Sequence, residues 1–414
     1  MKAGFVRGRA ALLGSALMVA GLGSLGLAGP AWAAGPQADA DGFVTDRAFE
    51  KHLQEQLLDA KAGDVITIPA GKYRLSRGLG LTASGVTIKG AGKDQTVLSF
   101  AGMVAGPVGL LVTGNQFVVS DLTVQDTKGD GIKINGTKGV TFRNVRVRWT
   151  DPDNSTHGAY GIYPVGCTDV LIEDSEVFGS SDAGIYVGQS DNIIVRRNRA
   201  ELNVAGIEIE NSTNADVYEN VATRNTGGIL VFNMPNLPKP GHSTRIHNNV
   251  SEANNTPNFA AKGTAVSIVP KGTGMIVLAN DDVEIFDNDI RNNDTMGIAI
   301  ASDFSTDYKI EAGAPGEHDP YPDRVLIAGN RISGGGNAPD ADRFPAAPVI
   351  RAAGQSTNVV WDGYTRAPAD DNGICLASGP DKLIRLDPKS PGKFAVIDGK
   401  SCDGFKRQPP VVIR

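Results

Sequence analysis

Residues 184–205 read GIYVGQSDNIIVRRNRAELNVA and residues 206–227 read GIEIENSTNADVYENVATRNTG, after which Gly228 opens GILVF. Two successive copies of 22 residues, sharing Gly-Ile, a strand-like run and an asparagine (Asn198, Asn220), leave few architectures open. Each copy is one unit that cannot bury its apolar side alone, so the copies must stack into a solenoid. Coil-opening glycines recur at Gly109, Gly131, Gly161, Gly184, Gly206, Gly228, Gly274 and Gly297. Extra residues around Asp151–His157 lengthen one step, and loop-like runs at 233–242 and 254–273 make a single enlarged coil after Gly228.

A period near 22 residues holds three strands of about 3–5 residues and three turns at the rise of a β-strand. Leucine-rich repeats have similar periods, but the leucine–asparagine pattern they need is absent. Side chains two apart on a strand share a face. Leu110, Ile132, Ile162, Ile185, Ile207, Ile229, Met275 and Ile298 follow the glycines directly; Val112, Ile134, Pro164, Val187, Ile209, Val231, Val277 and Ile300 stand two further on. Both columns must point inward and stack into aliphatic ladders about 4.8 Å per coil. Asn198, Asn220, Asn248, Asn288 and Asn330 form a further column, read as structural: asparagine tolerates the left-handed turn and can bond coil to coil. The fold class is all-β, a parallel β-helix. Abundant glycine (51 residues) and sparse aromatics (6%) suit short strands and tight turns.

The ends read differently. Lys2, Arg7 and Arg9, an apolar stretch from Ala10 to Ala28 and Ala31-Trp32-Ala33 form a secretory signal over residues 1–33. Export to a periplasmic or secreted, soluble state is expected, with no later membrane span, and it permits disulfides. Cys375 and Cys402 are the natural pair; Cys167, inside a repeat, fills the core. Residues 34–63 hold a lead and a capping helix over Thr45–Ala60, with Phe49, Leu53 and Leu57 on one side. The β-helix proper is expected over 64–337, opening with DVITIPAGKYRL, and 338–414 as an irregular C-terminal cap. A net charge of −6 without a basic stripe argues against nucleic acid; a monomer is expected.

These repeats resemble the right-handed parallel β-helix of pectate lyases, polygalacturonases and alginate epimerases. The run NGTKGVTFRN, HGAYGIYPVGC, SDAGIYVGQSDNIIVRRNRAELNVAGIEIENS, NTGGILVF, TPNF and NDDVEIF is similar to a family of exported bacterial parallel β-helix repeat proteins. That resemblance implies an extracytoplasmic site, carbohydrate chemistry, and an exported cytochrome-like protein as partner; it supplies no agreed catalytic residues. The chain departs from the enzymes. Alginate epimerases carry Asp-Pro-His-Asp, whereas the nearest stretch here is Asp151-Pro152-Asp153-Asn154. Of the polygalacturonase motifs only a double Asp, Asp281-Asp282, is present.

Outward positions of the first strand carry the site in catalytic β-helices, so the corresponding residues are the candidates here. Tyr163, Tyr186 and Glu208 should align on successive coils, with Glu210 beside Glu208 and Asp182 and His157 at the border. Tyr160, Lys133, Asn135 and Phe232 extend the same surface. Aromatic faces beside carboxylates suit sugar rings, so a polysaccharide is the expected ligand. A lyase or C5-epimerase needs a base, an acid and a cation that neutralises the uronate; Tyr163 or Tyr186, His157, and Lys133, Arg196 or Arg197 are the residues available. A glycoside hydrolase needs two carboxyls, and Glu208 and Glu210 lie about 6.6 Å apart by strand rise. An ordinary solvated outer face is the competing reading of the patch. No cofactor or metal is required, although Ca²⁺ held by Asp182, Glu208 and Glu210 is chemically admissible. The alternative from another class is a non-catalytic accessory protein working with an exported cytochrome-like or metalloenzyme partner.

Overall fold

Stacked first strands form the sheet on which the rest of the molecule is arranged. The structure, a computed structural model, describes residues 37–414 apart from 152, 307–317, 354–358, 368–370, 378–381, 400–401 and 414. The signal sequence read over residues 1–33 lies outside the described residues. Each regular coil has three strands, as in Ala183–Gly188, Asp191–Arg196 and Arg199–Glu201. First strands pair in parallel with first strands of the neighbouring coils, and second and third strands do likewise. The enlarged coil is confirmed: Gly227–Phe232 pairs directly with Thr273–Leu278, although the equivalent positions Phe232 and Leu278 are 46 residues apart in sequence.

The inward columns stand where alternation puts them. Ile132, Ile162, Ile185, Ile207 and Ile229 are in register and fully buried. At roughly 1.5–3 kcal/mol for each buried aliphatic side chain, these ladders are the main stabilising term. Cys167 sits in the same core, 1% exposed.

The asparagine column needs a correction. Asn248 is exposed, with a left-handed φ of 54°, and Asn249 takes the place in the ladder. Side chains bond from coil to coil along Asn198, Asn220, Asn249, Asn288 and Asn330, each Oδ1 accepting from the backbone N–H and the amide of the residue before it. The turn and the ladder are therefore separate tasks for adjacent residues: Arg197, Glu219, Asn248 and Asp287 adopt positive φ, and the next residue supplies the buried amide. A second ladder, Asn203, Asn225, Asn254 and Asn293, runs beside the start of the first strands. It explains the glycine column, because a Cβ on Gly206 would lie 2.6 Å from the Gly228 carbonyl and 2.8 Å from the Asn225 amide nitrogen.

An α-helix over Arg47–Asp59 covers the first coil, with Asp46 as N-cap accepting from the Ala48 and Phe49 N–H groups. Leu53 and Leu57 enter the core, and Glu50 accepts from the backbone of Ser76 and Arg77 on the first coil. At the other end the first sheet continues past Asn337. Val359–Trp361 pairs with the Met296–Ala301 strand and with Lys382–Leu386, and Trp361 turns inward, 1% exposed. Cys375 and Cys402 are bonded as a disulfide. Among the described residues no helix is long and apolar enough to cross a membrane.

Candidate functional site

The outward side of the first sheet brings most of the candidates together. Lys133 registers with Tyr163, and Tyr186 with Glu208, Leu230 and Ile276; Gly188 registers with Glu210 and Phe232. Asn135 begins that second column, opposite Val165 and exposed. Tyr160, Tyr163 and Tyr186 form a three-ring cluster with centroids 4.3, 4.6 and 5.1 Å apart. The Lys133 ammonium stands 4.6 Å from the Tyr163 ring centroid. Gly188 makes room for this cluster, since a Cβ there would lie 2.4 Å from the Tyr186 ring.

The face is not a solvated one. Tyr186 is 5%, Glu208 1%, Glu210 8% and Asp182 6% exposed. Inserted segments 233–241 and 255–272 lie over the sheet, and Met234, Val266 and Val269 join Leu230, Phe232, Ile276 and Leu278 in a second apolar cluster outside the solenoid. Outward residues at these coils are apolar for that reason, and strand alternation alone gives no sign of the cover. The half-exposed rim consists of Lys133, Tyr160, Tyr163, Gln189 and Asp130. Sequence reading missed Asp130 and Gln189, which lie just outside the strands that the repeat defines.

Within the buried part, the Tyr186 hydroxyl donates to Glu210 Oε1 at 2.6 Å, and Gln189 Nε2 donates to the Tyr186 oxygen at 3.2 Å. Glu208 Oε2 is buried without a hydrogen-bond partner. Burial, then the charges of Glu210 and Asp182, push the Glu208 carboxyl well above the carboxylate range. Burial raises Glu210 against the hydrogen bonds from Tyr186 and Gln189. Asp182 is pushed up to about 8 by burial first, then by the charges of Glu210 and Asp130, while the nearby Tyr160 hydroxyl pulls the other way. The tyrosines move upward too: burial and neighbouring carboxylates raise Tyr160 and Tyr186, and Tyr163 reaches about 12. Near neutral pH the cluster therefore offers phenol hydroxyls and, at Asp182, a carboxyl that keeps its proton. It holds no phenolate ready to act as a base.

Other candidates stand apart from this cluster. The His157 ring stacks on Trp149, and its Nδ1 is 2.8 Å from the Gly179 carbonyl. Arg196 and Arg197 lie at the end of a second strand, engaged with Glu173 and Asp174. Histidines elsewhere are also engaged: His247, on the second sheet, is stacked between Tyr218 and Phe286, and His242 pairs with Ser243. Among the described residues, three acidic groups whose oxygens lie within 4.8 Å of one another occur at Asp281, Asp319 and Asp323, away from Asp182, Glu208 and Glu210. Arg324 binds Asp281 and Arg366 binds Asp319 and Asp323, so that group is an ion-pair network. Further along the first sheet a cavity of about 520 Å³ opens on the same side, lined by Phe232, Ile276, Leu278, Ala299, Phe304 and Phe344 among others.

Residues 130–312 match the family described as the right handed beta helix region. The A-module of the mannuronan C-5 epimerase AlgE4 from Azotobacter vinelandii superimposes with a TM-score of 0.52 at 18% identity, covering 85% of this chain and 93% of that one. DFA-IIIase from Arthrobacter chlorophenolicus A6, solved without its lid in complex with GF2, gives 0.50 at 12% identity, covering 86% and 92%. No curated protein matches the chain in sequence. At this distance the likeness establishes the fold: the chain is a right-handed parallel β-helix.

Proposed function

We propose that the chain is an exported protein that binds a polysaccharide on the outer face of its first strands and modifies it by proton transfer. The observation that carries this reading is the cluster of three tyrosines backed by buried carboxyl groups, with the Tyr186 hydroxyl 2.6 Å from Glu210. Half-exposed Tyr160 and Tyr163 supply ring faces on which a sugar can stack, and Lys133, Asp130 and Gln189 surround them with polar groups. Among the described residues Lys133 is the cation seen against the cluster, and neutralising a polyuronate asks for more positive charge than that, so a neutral glycan is favoured. Proton affinity favours donation from Asp182, a carboxyl that keeps its proton near neutrality beside the tyrosine cluster. Abstraction of a proton beside a uronate carboxylate would need a lowered phenol pKa, and the surroundings of all three tyrosines act in the opposite direction.

Glycan-array binding by the purified mature protein tests the reading, with and without added calcium. Tyr163→Ala is expected to weaken binding of the best glycan at least ~10-fold, the loss of one ring-stacking contact of about 1.5 kcal/mol. Asp182→Asn is expected to retain binding and lose turnover. A second reading has its own support, since Glu208 and Tyr186 are nearly sealed beneath the inserted segments. In that reading the protein is a non-catalytic accessory to an exported cytochrome-like or metalloenzyme partner. Absence of any glycan ligand, together with co-purification of such a partner, would decide for it.

A further inference from the structure

On the second sheet, Ile194, Asp216, Arg245, Glu284, Leu326 and Cys375 form one outward column, each in register with the next. An outward column on a solenoid meets water, yet Asp216 is 3% and Glu284 0% exposed at its side chain or whole residue. The chain's own C-terminal tail covers them. Arg407 Nε donates to Glu284 Oε2 at 2.5 Å, and the Gln408 backbone N–H donates to Glu284 Oε1 at 2.6 Å. Three residues on, the Val411 N–H donates to Asp216 Oδ2 at 2.8 Å. The Arg407 guanidinium also lies 4.2 Å from the centroid of the Phe286 ring. Among the described residues, the hydrogen-bond partners of Glu284 all come from the tail, whereas Asp216 also holds Arg245.

The spacing of the tail matches the spacing of the coils. Glu284 and Asp216 are two coils apart, roughly 9.6 Å at 4.8 Å per coil. Between Gln408 and Val411 stand Pro409 and Pro410, which have no N–H to leave unsatisfied and favour the polyproline II conformation at about 3.1 Å per residue. Three such steps span about 9.3 Å, so successive free N–H groups fall on successive carboxylates. The root of the tail is placed on the same column, because Cys402 is bonded to Cys375 two coils beyond Glu284. A turn from Phe405 N–H to the Cys402 carbonyl then directs the chain along it.

We propose that this column is a peptide-docking groove that recognises an extended segment with the pattern Arg-x-Pro-Pro-apolar, and that the chain's own tail is its resident occupant. The chemistry is specific: a buried carboxylate with an aromatic face takes the guanidinium, and a second carboxylate takes the N–H beyond the prolines. A partner protein presenting an exposed segment of this kind competes with the tail for the groove. This surface is separate from the first-strand cluster and independent of the polysaccharide reading.

The experiment uses full-length, disulfide-intact protein and a fluorescein-labelled synthetic peptide of residues 404–413. In the wild type the tethered tail competes at an effective concentration on the order of mM, so the labelled peptide is expected to bind at least ~100-fold more weakly than to Arg407→Ala. Arg407→Ala should also speed amide exchange at Gln408 and Val411 while the rest of the β-helix keeps its protection. Adding Glu284→Gln to Arg407→Ala, or replacing the arginine of the peptide by alanine, should abolish binding. Equal peptide binding by wild type and Arg407→Ala would overturn the occupancy of the groove by the tail. No binding by Arg407→Ala, whether or not its tail exchanges faster, would overturn the groove as a peptide receptor.

Discussion

Asp182→Asn separates a protonated buried carboxyl from an ionised one. Asp182 is 6% exposed, and its pKa rises from 3.8 to about 8, through burial first and the charge of Glu210 second. The folded state therefore holds this proton across a range where the unfolded chain has released it. Stability from this group is present below about pH 4 and declines as pH rises toward about 8. Each pH unit inside the window costs about 1.4 kcal/mol, so the wild type should lose about 4 kcal/mol between pH 5 and 8 from this source. Asparagine has nearly the same shape and no carboxyl proton to release, so the variant lacks the decline. Carboxylates held below their ordinary range, such as Glu173 with Arg143 and Arg196 acting against its burial, titrate below pH 5 and do not confuse the comparison. Urea midpoints for both proteins at pH 5, 6.5 and 8, converted with their measured slopes, give the difference directly. From pH 5 to pH 8 the wild type should lose about 4 kcal/mol more than the variant. Parallel pH profiles would refute the argument, because they would mean that Asp182 is ionised and compensated in the fold.

Asn220→Ala removes an amide that donates to the Val195 carbonyl and to Asn249 and accepts twice from Asn198, all in a residue 1% exposed. With two or three buried groups left unpaired at about 1–3 kcal/mol each, a loss of about 3–6 kcal/mol in urea unfolding is expected. Asn248→Gly, one residue from the ladder at a positive φ and exposed, should change stability by less than about 1 kcal/mol; equal losses would remove the distinction between turn and ladder. Gly188→Ala should displace the Tyr186 ring and break its bond to Glu210, costing about 1–3 kcal/mol by overpacking. An unchanged tyrosine near-ultraviolet dichroism in that variant would contradict the packing described. Ile207→Ala, in the middle of a fully buried ladder, should cost about 2–5 kcal/mol, read by the shift in urea midpoint.

Much of the architecture was legible in the repeat, because strand alternation and coil stacking are short-range rules. A side chain two positions along a strand returns to the same face, and a residue one period later lies on the next coil. Those rules place Ile185 and Ile207 inward and bring Tyr186, Glu208 and Glu210 together on the opposite face, as observed. The Cys375–Cys402 pair was legible for a different reason: both lie past the repeats, whereas Cys167 falls inside one. One-residue distinctions escaped them: Asn248 and Asn249 are both asparagine, and only backbone register decides which amide enters the ladder.

Tertiary structure alone decided what covers the outer faces. The inserts around Met234 and Val266 bury Glu208, and the tail around Arg407 buries Glu284, through contacts between segments far apart in sequence. No period relates those segments to the coils they touch. Their placement depends on where apolar area and hydrogen-bond partners remain after the coils have stacked, a property of the assembled surface. The sequence by itself thus determined the coil and the residues on each of its faces. Which of those faces meets water, and so which carboxyl groups keep their protons, was settled only by the folded chain.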